Sequence, residues 1–466
     1  MHYHLIGIAG TAMGSLAGLL HQRGHRVTGS DEGVYPPMST LLESMDIPYA
    51  PRFDPANLDA APDVVVVGNA ISRGNPELEA VLDRGLRYTS AARLVRDEFL
   101  EGRHVLAVAG THGKTTTSAL LAWILEAAGL KPSFLVGGVC RNFGTSFRLT
   151  DSDYFVIEAD EYDTAYFDKG PKMWHYRPRT AVVTNVEFDH ADIYRDAEAY
   201  RFAFARFINL IPRTGTLVTG WSSPVARALS EASPAPVASF GLEASGSHPR
   251  WLATDIESGP EGTEFALFHD QEPLGSVRTP LWGAFNVENC LAAIAAGHTV
   301  GADLEAIRSA VRTFESVGRR LEIRGEVGGV TVIDDFAHHP TAVRGAIAAA
   351  RERFPGRRVV AIFEPRSYTA QRKESQEAIR ESLRGADRVV LAGLFHPERY
   401  EGGTGMDPEA LVRSLQSDGV VADYLPEVDR IVDTVVSEAL PSDLVLVLSN
   451  GGFGGIHEKL LDRLKH

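Results

Sequence analysis

The chain has 466 residues, with 46 lysines and arginines against 61 aspartates and glutamates, a net charge of −15, and 44% hydrophobic and 23% charged residues. About 100 to 200 residues per domain implies roughly three domains of ordinary globular composition. The acidic balance argues against nucleic acid as a partner, no apolar run reaches the roughly 18 residues of a membrane span, and Cys140 and Cys290 alone supply neither a disulfide framework nor a Cys-rich zinc cluster.

The chain opens on Met1-His2-Tyr3-His4-Leu5, which leads directly into a strand without the basic n-region of a secretory signal, so a cytoplasmic location is expected. A strand at 3–7, a helix at 12–23 closed by Gly24 and a strand at 26–29 ending on Ser30-Asp31 form a βαβ start. The β-branched run at 63–68 reads as a strand buried on both faces. A second unit begins with a strand at 104–109, turns through a Gly/Thr loop and continues as a helix at 116–128, with later strands at 154–157 and 180–184. Between about 235 and 280 short alternating pieces predict a small β excursion, and 286–296 reads as a helix. A third unit alternates strands at 330–333, 359–363, 388–391 and 444–448 with helices near 341–353, 371–384 and 427–439. The expectation is an α/β protein of three domains: a Rossmann-like domain at 1–102, a central P-loop ATPase-type domain at 103–316 and a Rossmann-like C-terminal domain at 317–466.

The loop Gly110-Thr111-His112-Gly113-Lys114-Thr115-Thr116 lies between strand and helix, where backbone N–H groups and the helix dipole attract anions. Lys114 can neutralise β/γ-phosphate charge and Thr115 can offer a hydroxyl to Mg²⁺. A full Walker pattern wants Gly where Val108 stands, so the loop is a variant; the plainer alternative is a Gly-rich turn with an exposed lysine. Glu158-Ala159-Asp160-Glu161 and Asp189-His190 follow strand ends, where parallel sheets bind ligands, and Glu158 and His190 are candidate metal ligands or merely surface groups.

The first turn, Gly7 to Gly14, misses the G-x-G-x-x-G dinucleotide pattern, although Asp31 ends the second strand where a ribose hydroxyl is normally held. A nucleotide-type ligand or a bare structural turn both fit. Asp334-Asp335-Phe336-Ala337-His338-His339 gathers polar groups after a strand; adjacent histidines seldom face one ion, and no third ligand stands out. Arg319-Arg320 and Arg366 suit phosphate or carboxylate, or a solvated face.

Taken in order, the Gly7 turn, the Gly110 loop, Glu158 to Glu161, Thr184-Asn185-Val186-Glu187-Phe188-Asp189-His190, Asn286-Val287-Glu288-Asn289, Gly318-Arg319-Arg320 and Asp334 to Thr341 resemble the three-domain Mur ligases of peptidoglycan synthesis across essentially the whole chain. The resemblance implies an ATP- and Mg²⁺-dependent ligase acting on UDP-N-acetylmuramate through an acyl phosphate. Tyr35-Pro36-Pro37-Met38-Ser39, Gly68-Asn69-Ala70, Arg73-Gly74-Asn75-Pro76 and the tail 449–457 are similar to the branch that loads recycled murein tripeptide. So is Glu364-Pro365-Arg366-Ser367, where the L-alanine-adding branch is expected to carry Gln-Pro-His-Arg. L-alanine stays open as the alternative acceptor.

By the same resemblance Gly110 to Thr116, Asn286, Asn289, Arg320 and Asp335 serve the nucleotide, and Thr115, Glu158 and His190 organise Mg²⁺. Lys114, Glu158, His190, Arg320, Asp335 and His338 form the catalytic set. Gly10, Thr11, Ser30, Asp31 and Asn69 hold the UDP sugar, and Arg366 and Ser367 face the acceptor. Monomer and dimer are both compatible with the sequence. A nicotinamide-dependent dehydrogenase and a non-catalytic nucleotide-binding regulator are the rival classes.

Overall fold

A computed structural model of the chain describes residues 1–35, 38–243, 248–400 and 403–465. Pro36 and Pro37 of the segment noted above lie outside the described residues.

Three large sheets organise the described residues, beside a two-stranded ribbon of Asp163–Ala165 and Asp168–Pro171. The first is wholly parallel, in the order Tyr49–Ala50, Arg26–Ser30, His2–Ile6, Val64–Val67, Tyr88–Ser90. Its strands His2–Ile6 and Val64–Val67 are buried along their whole length; the second is accordingly an unbroken β-branched run, whereas the first buries His2 and His4 as well. The third sheet runs Glu322–Val327, Val330–Asp335, Leu444–Leu448, Val359–Phe363, Arg388–Leu391, Val421–Tyr424, parallel except for the antiparallel first pair.

The second sheet has ten strands. Its centre is His104–Ala109, flanked by Tyr154–Glu158 on one side and Thr180–Val183 on the other, all parallel. The expected β excursion at 235–280 is not a separate piece, and residues 244–247 of it lie outside the description. Val237–Leu242 and Trp251–Gly259 continue the sheet in parallel, and Gly262–His269 and Glu272–Thr279 extend it as an antiparallel meander. At the opposite edge Ser133–Cys140 and Thr145–Arg148 add a ribbon that the sequence reading did not contain. The helix expected at 371–384 is shorter: a 3₁₀ turn, Lys373–Ser375, precedes the helix Gln376–Leu383.

The interfaces between the sheets differ in kind. One continuous apolar core takes Tyr3, Leu16, Leu19 and Phe99 from the first unit and Phe147, Phe155 and Phe204 from the second. The helix Thr11–Gln22 lies directly on the edge ribbon: a Cβ at Gly18 would fall 2.1 Å from the Phe147 ring, so only glycine allows this approach. Ser15 and Ser146 hydroxyls, 2.8 Å apart and buried, complete the seam.

The third sheet has its own cores, into which the central unit inserts Trp282. Its other ties to the centre include polar ones, such as Ala191 N donating to Thr369 Oγ1 at 3.3 Å. The chain enters it through Ser316, Arg319 and Leu321, all in the left-handed region at φ 69°, 61° and 47°. Three such non-glycine residues within six positions mark a sharply folded connection that the surrounding structure must hold in place.

Candidate active site

The phosphate-type loop sits at the C-terminal end of the strand His104–Ala109 and runs into the helix Lys114–Ala127. Sheet order places Glu158 at the end of one neighbouring strand and Thr184 just past the other. Residues far apart in sequence therefore meet at one sheet edge. Thr184 Oγ1 and Asn185 Nδ2 donate to the His112 carbonyl at 2.6 and 3.2 Å, and His112 N donates back to Asn185 Oδ1 at 2.9 Å. Thr111 Oγ1 donates to the Glu187 carbonyl at 2.9 Å, and Glu187 N returns a bond of the same length. The loop is thus stitched to the segment 184–187, which sequence reading had linked to the family without assigning a task to Thr184 or Asn185.

Lys114 does not point outward. Its Nζ donates to the Gly110 carbonyl at 2.7 Å and to Glu161 Oε1 and Oε2 at 3.0 and 2.7 Å. Burial pulls this ammonium down, and the Glu161 carboxylate more than offsets it, so Lys114 is held above its ordinary value. Glu161, fully buried, is the hub that the sequence reading passed over. It also takes bonds from Tyr200 Oη at 3.2 Å and, through its carbonyl, from Tyr194 Oη at 2.6 Å, and His190 Nε2 lies 3.2 Å from Oε1. Burial raises its carboxyl, but Lys114 and His190 win and keep it below the usual glutamate value. Its signal was the density of the acidic run itself.

The three expected metal ligands divide into two groups. Thr115 Oγ1 donates to Glu158 Oε1 at 3.1 Å, and Glu158 Oε2 accepts Gly137 N at 2.7 Å. His190, at a strained φ of 55°, belongs instead to the Glu161 side. Burial holds Glu158 above and, against the same burial effect, Glu161 and Asp189 hold His190 above their ordinary values. A hydroxyl and a carboxylate are the hard oxygen donors that Mg²⁺ prefers, so Thr115 and Glu158 fit the ion. His190 would have to turn from Glu161 to join them.

The third unit reaches the same place. Arg320 Nη2 donates to Thr115 Oγ1 at 3.2 Å, and its guanidinium lies over the Phe336 ring, 4.8 Å from the centroid. Asp335 is turned inward, accepting Leu321 N and Ala337 N at 2.8 Å each, which fixes the strained entry turn rather than contacting the loop. His338 Nε2 stands 3.9 Å from Asp189 Oδ2, with Nδ1 3.0 Å from the Phe336 carbonyl, and burial lowers its basicity.

Asn286 and Asn289 stand behind the loop. Asn289 Nδ2 donates to Asn286 Oδ1 at 2.9 Å, Asn286 Nδ2 to the Trp282 carbonyl at 2.8 Å, and a Cβ at Gly113 would fall 2.2 Å from Asn289 Oδ1. A small cavity opens beside them, lined by His112, Asn185, Phe240, Phe285, Glu288 and Asn289, with Phe285 partly exposed. Its aromatic wall and amides suit a flat heterocycle next to the phosphate loop. Thr116 is buried in the first turn of the helix.

Two predicted groups lie away from this centre. In the first sheet Gly10 caps the helix that begins at Thr11, and the Asp31 carboxylate accepts Ala9 N at 2.9 Å and Gly33 N at 3.0 Å, bracing its own turn. Among the described residues the buried Ser30 hydroxyl has no partner, and Asn69 follows the strand Val64–Val67 at half-burial. In the third sheet Arg366 packs on Phe395, 3.8 Å from the ring centroid, and against Gly451; Ser367 Oγ accepts Ala370 N at 3.2 Å.

Comparison with known proteins accounts for all three units. Residues 2–99 match the Mur ligase family catalytic domain, 108–297 the Mur ligase middle domain and 319–451 the Mur ligase glutamate ligase domain. The chain is 44% identical to the UDP-N-acetylmuramate–L-alanyl-γ-D-glutamyl-meso-2,6-diaminoheptandioate ligases of Haemophilus influenzae and Escherichia coli. In both cases the match covers 100% of this chain, and it covers 99% and 98% of those proteins. A crystal structure of a murein peptide ligase from Psychrobacter arcticus, 36% identical, superposes with a TM-score of 0.76 over 100% of this chain and 99% of that one. The UDP-N-acetylmuramate–alanine ligase of Thermotoga maritima, 22% identical, shares the fold with a TM-score of 0.83 over 99% of each chain. With its three units matched in order and full-length relatives at this identity, the chain belongs to the Mur ligase family.

Proposed function

We propose that this protein joins the tripeptide L-Ala-γ-D-Glu-meso-diaminopimelate to UDP-N-acetylmuramate at the expense of ATP, in cell-wall peptide recycling within the cytoplasm, where the nucleotides are. The observation that carries the reading is the meeting at Thr115 of groups from two units: Glu158 from the central sheet and Arg320 from the third. Such a junction suits a reaction whose two halves are held by different domains. The choice of acceptor is supported by the names of the two 44% identical relatives and by Glu364-Pro365-Arg366-Ser367. The assignment of boundaries at 1–102, 103–316 and 317–466 belongs to the same reading and is supported by the left-handed turn at Ser316 to Leu321.

In this reading Thr115 and Glu158, joined by His190 when it leaves Glu161, hold Mg²⁺, which offsets the charge that accumulates when a carboxylate meets a triphosphate. Lys114 exchanges Glu161 for the β- and γ-phosphates, and the vacated Glu161 keeps Tyr200 as its partner. The N-acetylmuramate carboxylate attacks the γ-phosphorus and ADP leaves. The peptide amine then attacks the acyl carbon, and phosphate departs. Arg320 supplies positive charge from the third unit, and Asp335 holds the turn that aims it. Arg366, fixed on Phe395, offers its guanidinium to the acceptor's carboxylates.

The test is ADP formation with UDP-N-acetylmuramate and either the tripeptide or free L-alanine. The tripeptide should be strongly preferred, and Lys114→Ala should abolish phosphate release in a folded protein. Preference for L-alanine would instead favour the second reading, to which full-length relatives about 34% identical and named L-alanine ligases lend support.

A further inference from the structure

We propose that His112, Glu187 and His339 form a site for a zinc-class divalent ion, separate from the Mg²⁺ donors, that bridges the central and third units. Glu187 Oε2 is the focus: His112 Nε2 lies 3.2 Å from it, His339 Nδ1 3.6 Å, and Thr341 Oγ1 2.7 Å. One ligand atom from each of the first three falls within 4.8 Å of the other two, and among the described residues this is the single such cluster of three histidine, cysteine or acidic groups. Two imidazoles and one carboxylate are a recurrent zinc donor set, with ligand bonds of about 2.0 to 2.2 Å and a fourth position left for water. Closing the cluster around an ion needs shifts of about an ångström in side chains alone, and the Thr341 hydroxyl is placed to bond the carboxylate from outside.

Hydrogen bonds from His112 Nε2 at 3.2 Å and Thr341 Oγ1 at 2.7 Å hold Glu187 Oε2, while His339 Nδ1 stands 3.6 Å from that oxygen, beyond hydrogen-bond distance, and accepts Thr341 N at 3.3 Å. Three groups converge on a single carboxylate oxygen, and the rings of His112 and His339 sit 4.6 Å apart, a spacing that disfavours two protonated imidazoles. All three side chains are partly exposed, leaving an ion a way in. Sequence reasoning dismissed the His338-His339 pair because neighbours do not share an ion; the fold turns them apart, His338 toward Asp189 and His339 toward His112 and Glu187.

An ion here would take the Nδ1 lone pair with which His339 now caps the helix Pro340–Arg353 through Thr341 N at 3.3 Å, and would fasten the phosphate-loop residue His112 to the start of that helix, holding the third unit against the loop. Zinc would therefore act as a clamp that retards opening, independently of which acceptor the enzyme takes.

The experiment is equilibrium dialysis of untagged full-length protein against Zn²⁺ alone, followed by elemental analysis, with thermal unfolding run in parallel. Wild type and Glu158→Gln should each retain one zinc per chain, and zinc should raise the Tm of both. His339→Ala and Glu187→Gln, folded by circular dichroism, should bind on the order of tenfold more weakly or worse and lose the Tm shift. Co²⁺ in place of zinc should give wild type the intense visible bands of a four-coordinate site and leave the His339→Ala spectrum weak. The proposal is overturned if wild type retains no zinc, if the two cluster variants bind as wild type does, or if Glu158→Gln abolishes binding.

Discussion

The Lys114 ammonium lies 3.0 and 2.7 Å from the two carboxylate oxygens of Glu161, 47 residues further along the chain. The pair is sealed beneath the loop, so the residue expected to greet phosphate is occupied by an internal partner. On the function proposed above, nucleotide binding would be an exchange of anions at one cation.

Glu161→Gln should destabilise the protein by about 3 to 5 kcal/mol, because a buried ammonium loses its counter-charge. The double variant Lys114→Met with Glu161→Gln should recover much of that loss, since neither charge then remains. Urea unfolding of the four proteins measures the coupling directly. Additive effects would mean that the pair contributes no coupling energy.

Gly113→Ala should weaken ATP-analogue binding on the order of tenfold or more, equivalent to about 1.4 kcal/mol or above. At φ +83° any side chain is strained, and its Cβ would lie 2.2 Å from Asn289 Oδ1. Removing the obstruction with Asn289→Ala in the same chain should restore only part of the affinity, because the backbone strain persists. Isothermal titration of the single and double variants separates the two contributions.

Stability should fall between pH 6.5 and 4. Burial, and then the charge of Arg179, push His104 down to about 4, while in the unfolded chain it titrates near 6.5. Across that window the unfolded state binds a proton that the folded state refuses, so acidification favours unfolding. The shift corresponds to at most about 3 kcal/mol, and less where solvent reaches the ring. Urea midpoints at pH 7 and pH 5 should differ less in His104→Gln than in wild type, the glutamine amide replacing the imidazole near Thr180 Oγ1, now at 2.9 Å. An unchanged difference would remove His104 as a source of the acid sensitivity.

Much of the architecture was legible because buried parallel strands advertise themselves. The runs at 64–67, 105–109 and 444–448 are apolar throughout, and each lies inside its sheet. The edge ribbon Ser133–Cys140 and Thr145–Arg148 was missed because its glycines and exposed positions blur any period of two. At the site, local motifs located the loop and the ends of its neighbouring strands. They could not tell that Glu161, three residues after Glu158, takes Lys114, because that depends on which strands the central sheet places side by side, nor that His339 and not His338 meets Glu187, because that depends on how the third sheet docks. Asn289 was expected near the nucleotide; its packing against Gly113 is a matter of tenths of an ångström that no pattern encodes.

The apolar seam between the first and second sheets, with Phe147 resting on Gly18, gives the molecule an uneven mechanical partition. Parting those two sheets would expose the aromatic interior they share, whereas the third is joined to them through a strained turn, the docked Trp282 and polar contacts. The shared core ties the first two sheets together, so the turn at Gly7 to Gly14 and the phosphate-type loop are held on one packed body. The least costly rearrangement this partition leaves is a swing of the C-terminal unit about the turn at Ser316 to Leu321, and on the function proposed above that is the coordinate into which ligand binding would be directed.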